Sequence, residues 1–125
     1  RVKARDTRRV SDIKSIQLAM EFYYDSLGQY PILVSGLVGG GNGQSLAAEP
    51  KDPQSGAIYS YAYKTVSSKI VAYHVGATLE QVPGATTLKD GDIDNVTTGV
   101  SGWTSGFDGS DGTVVVYDVS NIKVP

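Results

Sequence analysis

Cysteine is absent from the 125 residues, which excludes disulfides, thiolate metal sites and thiol nucleophiles and leaves compartment unread from redox usage. A single histidine, His74, confines any Ser-His-Asp chemistry to one residue, and neither a nucleophile elbow nor a second histidine accompanies it. Its strand phase predicts a surface position, opposite the better apolar face. No stretch of about 18 consecutive apolar residues occurs, so the sequence as given holds no membrane span. Phenylalanine is scarce, at two residues, against fifteen glycines, which points to a small core with many turns. The length fits a single domain, residues 1–125. A net charge of −2 excludes nucleic-acid binding by bulk attraction, and no nucleic-acid partner is expected.

Charge is nonetheless uneven. The first fourteen residues hold Arg1, Lys3, Arg5, Arg8, Arg9 and Lys14 against Asp6 and Asp12; from Val75 onward seven acidic side chains face only Lys89 and Lys123. A basic start and an acidic end suit head-to-tail attraction between copies or a collar beside anionic lipid, the plain alternative being a solvated helix face. The chain opens at Arg1 rather than Met, which implies residues upstream.

Val10, Ile13, Ile16, Met20, Tyr23, Leu27 and Tyr30 follow one another at steps of three or four, the spacing of one helical stripe. Gly28 and Pro31 end it, so the helix should run from Val2 to about Leu27 with Ile13, Ile16, Met20, Tyr23 and Leu27 packed on the core. At 1.5 Å per residue it spans about 40 Å. Its basic start, with almost no apolar stripe, should project beyond the domain and rest on something outside the chain. Residues 28–56 read as a connecting loop, and their glycines lack the Lys-Ser or Lys-Thr of a phosphate loop.

Strand alternation follows in the last part, 57–125, at Ala57–Thr65 and Lys69–Ala77, joined through Val66, Ser67 and Ser68, and a β-branched run covers Thr113–Val119. One long helix followed by a strand meander predicts an α+β domain with the helix on a three- to four-stranded antiparallel sheet. Trp103, among glycines and serines, reads as cover for a core edge, with stacking on a sugar as the alternative. Asp90, Asp92 and Asp94 recur at every second residue, but Asn95 stands where an EF-hand has its glycine and Ser101 where it has its glutamate. A different calcium site joining these with Asp108 or Asp111 is one reading, and solvated turn aspartates the other. Asn95-Val-Thr97 matches the N-glycosylation acceptor pattern.

The run Ala4–Asp25 followed by Gly28-Gln-Tyr-Pro31 resembles the second half of the long N-terminal helix of type IV pilins and of the major pseudopilins of type II secretion. Lys51-Asp-Pro53 before the tyrosine-rich strand, and Tyr73–Ala77, are similar to the turn and strands of pseudopilin-like domains. The resemblance implies a non-enzymatic subunit of a helical homo-oligomeric filament, pilus or pseudopilus. An upstream apolar helix half would anchor the precursor in the inner membrane before periplasmic or extracellular assembly by pilus or secretion machinery. It also implies calcium in an acidic loop, with Asp90, Asp92, Asp94, Asp108 and Asp111 as counterparts. Arg1, Arg5, Arg8 and Arg9 would then be the assembly interface, and reversing Arg5, Arg8 and Arg9 to Glu would block filaments while sparing the domain's stability. A secreted calcium- or glycan-binding module is the alternative from another class.

Overall fold

A computed structural model describes residues 1–81, 91–112 and 114–122. Helix α1 covers Val2–Leu27. It stops where the sequence requires: Gly28 takes φ 75° and donates its N–H to the Tyr24 carbonyl at 2.7 Å, a left-handed cap that glycine adopts without steric cost. Tyr30 then donates its N–H to Ile70, and Tyr61 donates its hydroxyl to the Pro31 carbonyl at 2.6 Å, so Gln29-Tyr30-Pro31 turns the chain back onto the sheet. The connection that follows is irregular except for a 3-10 turn at Val34–Leu37, whose Val34 and Leu37 are buried.

Four strands make one antiparallel sheet: β1 (Ser60–Val66), β2 (Lys69–Leu79), β3 (Trp103–Thr104) and β4 (Val115–Ser120), in the order β3-β1-β2-β4. The molecule is an α+β domain with its one long helix on this sheet. The β1–β2 corner places both Ser67 and Ser68 at positive φ, 52° and 68°, the backbone handedness that suits a two-residue hairpin. The ladder starts at Ser60, three residues later than the alternation predicts, because Ile58 bridges instead to Lys51 in the loop. The two-residue β3 is too short to show any period and is not visible in the sequence.

Cross-strand partners fix the two faces of the sheet. Tyr61 opposite Val75, Tyr63 opposite Tyr73, Val75 opposite Val119 and Leu79 opposite Val115 belong to the face under α1. There they meet Val10, Ile13, Ile16, Ala19 and Met20, all buried, in the main core. The predicted stripe therefore holds at Ile13, Ile16 and Met20, and Tyr23 is partly buried against the same cluster. Leu27 departs from it: 40% exposed, it lies in the last turn, with its side chain beside Gly43 of the loop rather than in the core.

The basic start of α1 does not project. Asp6 and Arg9 are buried, and both are bound to other parts of the domain. The expectation failed because it counted apolar residues alone; here the helix is held by charged ones.

Candidate functional site

Three regions carry chemistry that the fold alone does not need explained by hydrophobic burial. The first is an ion-pair node at the start of α1. Asp6 lies one turn before Arg9 on the helix, and its two carboxylate oxygens accept the backbone N–H groups of Glu80 and Gln81 at 2.9 and 3.0 Å, just past the end of β2. Arg9 donates to Asp6, to Asp52 in the loop and to Glu80, while Arg5 makes a two-pronged contact with Glu80. The loop at Asp52 and the end of β2 are thereby tied to one stretch of the helix. The hydrogen bonds from Arg5 and Arg9 hold the Glu80 carboxyl down at about 2, and Arg9, followed by backbone and hydroxyl donors at Gln54 and Ser55, holds Asp52 lower than an ordinary carboxylate. Beside the node, the Tyr59 hydroxyl donates to Asp12 at 2.6 Å, and burial first, then that carboxylate, pushes the phenol up.

The four arginines expected at an assembly interface differ in their surroundings. Arg9 is occupied inside the domain and Arg5 is paired with Glu80, while the largely exposed Arg8 pairs with Asp12 and Arg1 is exposed at the start of the helix. Reversing Arg9 would gather its new carboxylate with those of Asp6, Asp52 and Glu80, so the triple reversal cannot leave stability unchanged.

The second region lies on the sheet face turned away from α1. His74, predicted at the surface, is fully buried: its Nε2 is 2.6 Å from Asp118 Oδ2, its Nδ1 is 2.9 Å from Thr97 Oγ1, and the Phe107 ring stacks on it at 3.9 Å, nearly parallel. The segment 91–112 forms a strap that covers this face. Asp118 holds the strap by accepting the N–H of Asp94 on Oδ1 and the N–H of Asn95 on Oδ2. Gly76 leaves room for Phe107, since a Cβ there would stand 2.9 Å from its ring, and a Cβ on Gly106 or Gly109 would run into Thr97 or Asp118. Trp103 stands edge-on to His74 at 6.5 Å, half-buried, which agrees with core cover.

A hydroxyl, an imidazole and a carboxylate in sequence have the order of a nucleophilic relay. The Thr97 hydroxyl is buried, however, and is engaged by both the N–H and the carbonyl of Phe107, so it presents no attacking face to solvent. Asn95 of the glycosylation pattern is also buried and donates its side-chain amide to the Ile122 carbonyl. These residues act as a clasp.

The strap decides the fate of the calcium candidates. Asp92 and Asp94 are brought together, but with Asp118, which the sequence reading missed; one carboxylate oxygen from each lies within 4.8 Å of the others. Asp108 and Asp111 are not in that cluster, and Asp90 lies outside the described residues. Asp108 Oδ1 accepts from Ser110, which lowers its carboxyl. Asp111 and Asp92 accept the N–H groups of Val116 and Asp118, and Ile93 donates to the Asp118 carbonyl, so these residues cover the outer edge of β4. Burial first, then Asp118, pushes the Asp92 carboxyl up to about 8, which favours its protonated form. Calcium takes six to eight oxygens from deprotonated carboxylates and carbonyls. Asp92, Asp94 and Asp118 supply three of those oxygens at most in this arrangement, and Asp118 already accepts from the N–H groups of Asp94 and Asn95.

The third region is surface. On α1, Leu18 is 75% and Phe22 51% exposed, one turn apart on the side away from the sheet, with the exposed Lys14 one turn earlier. Beyond the helix end, Ile32 and Leu33 of the loop, Ile58, Tyr61 and Tyr63 line a hollow of about 430 Å³. Both patches are apolar and neither is covered by the described residues.

No family model, curated protein or solved structure matches this chain.

Proposed function

We propose that this chain is the folded domain of a type IV pilin-like filament subunit, whose mechanism is assembly with no reaction catalysed. The observation that carries the proposal is the helix itself: 26 residues long from the second position of the chain, packed on an antiparallel sheet along one side and offering Leu18 and Phe22 to solvent on the other. A rod fastened at its basic end by Arg9 keeps a fixed direction relative to the sheet, which a subunit that is pulled and stacked through its helix requires. No helix among the described residues is long and apolar enough to cross a membrane. On this proposal an upstream apolar helix half anchors the precursor in the inner membrane and later lines the filament axis. A pseudopilus of type II secretion uses the same architecture in a shorter assembly.

The test is the native gene. A short leader followed by about twenty apolar residues directly before Arg1, together with filaments seen by electron microscopy when that full-length precursor is expressed beside its assembly genes, is the expected result. A purely hydrophilic leader, or a start codon at this point, overturns the proposal.

A further inference from the structure

The filament reading leaves open which parts of neighbouring globular domains meet, and the following contact rests on that reading. We infer that the outward stripe Lys14–Leu18–Phe22 of one copy docks in the Ile32/Leu33/Ile58/Tyr61 groove of a second copy, with Lys14 against Glu49. Neither surface is covered by the described residues. Ile32, Leu33 and Ile58 are each more than half exposed although they flank the core tyrosines, an arrangement that wastes apolar area in water unless something covers it. The Tyr61 hydroxyl is tied to Pro31, so its ring is a fixed wall rather than a mobile flap. The hollow lies at the small end of the range for binding pockets, suited to inserted side chains rather than a whole helix.

Charge selects the occupant. Among the described residues, Glu49 is the only charged one lining the groove, and it has no cationic partner. Lys14 stands at the head of the exposed apolar stripe, also without an ion-pair partner among the described residues. A cation followed at one-turn spacing by a leucine and a phenylalanine complements a carboxylate beside aliphatic and tyrosine walls. Stripe and groove share no residue, so two copies joined by one such contact keep one stripe and one groove free between them, and head-to-tail repetition of the contact propagates.

The absence of cysteine makes the test clean. Leu18→Cys and Ile58→Cys chains, mixed at high concentration under mild oxidation, should give a Leu18–Ile58 cross-linked pair about tenfold above the yield of either with the exposed control Ser55→Cys. Lys14→Glu on the first chain or Glu49→Lys on the second should lower that yield, and the two changes together should restore it; all four positions are on the surface, and circular dichroism checks that each variant folds. Leu18→Cys pairing chiefly with itself, or a yield equal to the control, overturns the contact. Filaments that assemble normally from full-length Ile58→Glu subunits overturn it too while the filament reading stands; a cross-linked pair with no filaments from the full-length chain leaves the contact standing and sinks that reading.

Discussion

The two faces of the sheet are closed by opposite means. Under α1, one helix supplies Ile13, Ile16 and Met20, all fully buried, and the face is sealed by removing apolar area from water. Over the other face, a strap with few apolar residues is held by Asp118, His74, Thr97 and Asn95, each buried and each hydrogen-bonded, with only Phe107 and Trp103 adding aromatic cover. The first seal is non-directional and tolerates small shifts of the helix; the second depends on a few donors and acceptors in fixed positions, where one unmatched group is costly. The helix face should thus determine whether the chain folds, and the strap face whether the segment 91–112 stays down.

The sharpest break is Ile16→Asp, which places a carboxylate with no partner at the centre of the helix contact. The expected result is loss of the cooperative thermal transition and of near-ultraviolet circular dichroism, since an unpaired buried charge costs several kcal/mol, a large share of a small domain's stability. A folded Ile16→Asp variant would mean that the strap carries the fold.

Asp118→Asn tests the other face at smaller cost. The new amide puts N–H groups where Oδ2 now accepts from Asn95 and faces His74, a loss of about 1–3 kcal/mol. Hydrogen exchange should show protection falling in 91–112 while α1 keeps its own. Equal loss in both regions would erase the distinction between the two seals.

The smallest effect is in pH. Asp92 is held at about 8 against an ordinary carboxyl in the unfolded chain, so between about pH 4 and pH 8 the folded state binds the extra proton and stability falls as pH rises, levelling above 8. Glu80 works in the other direction: its carboxyl is held at about 2, so its contribution is complete above the ordinary carboxylate range and disappears as pH falls toward 2. Asp92→Asn keeps an oxygen for the Asp118 N–H and removes the first dependence. Its melting temperature should exceed the wild type's at pH 8 and match it near pH 4; parallel curves would contradict the protonated carboxyl.

What the sequence disclosed follows the same division. Helix extent, its glycine stop, three of the four strands and the serine corner are local patterns, visible in the spacing of Val10, Ile13, Ile16 and Met20, in the alternation of Tyr59, Tyr61 and Tyr63 and in the β-branched run at Thr113–Val119. His74 was misplaced because strand phase says which face a residue is on, and a face opposite the helix looks like surface until a distant strap covers it. Asp118 went unremarked as one acid in a strand, since its partners Asp94, Asn95 and His74 are 23 to 44 residues away. Arg9 reads as a free cation in the sequence for the same reason: Asp52 and Glu80 are 43 and 71 positions distant. Polar constellations assembled by tertiary contact leave no period to read.

The corner at Ser67 and Ser68 has a consequence for engineering. Two serines sit in the left-handed conformation, which costs a non-glycine residue about 1–2 kcal/mol and which asparagine and glycine accept more readily. The hairpin folds in spite of its tip, so an Asn-Gly graft there offers a way to strengthen the domain without touching either seal, and a tag spliced into the same exposed bend would mark one end of the domain in an electron micrograph.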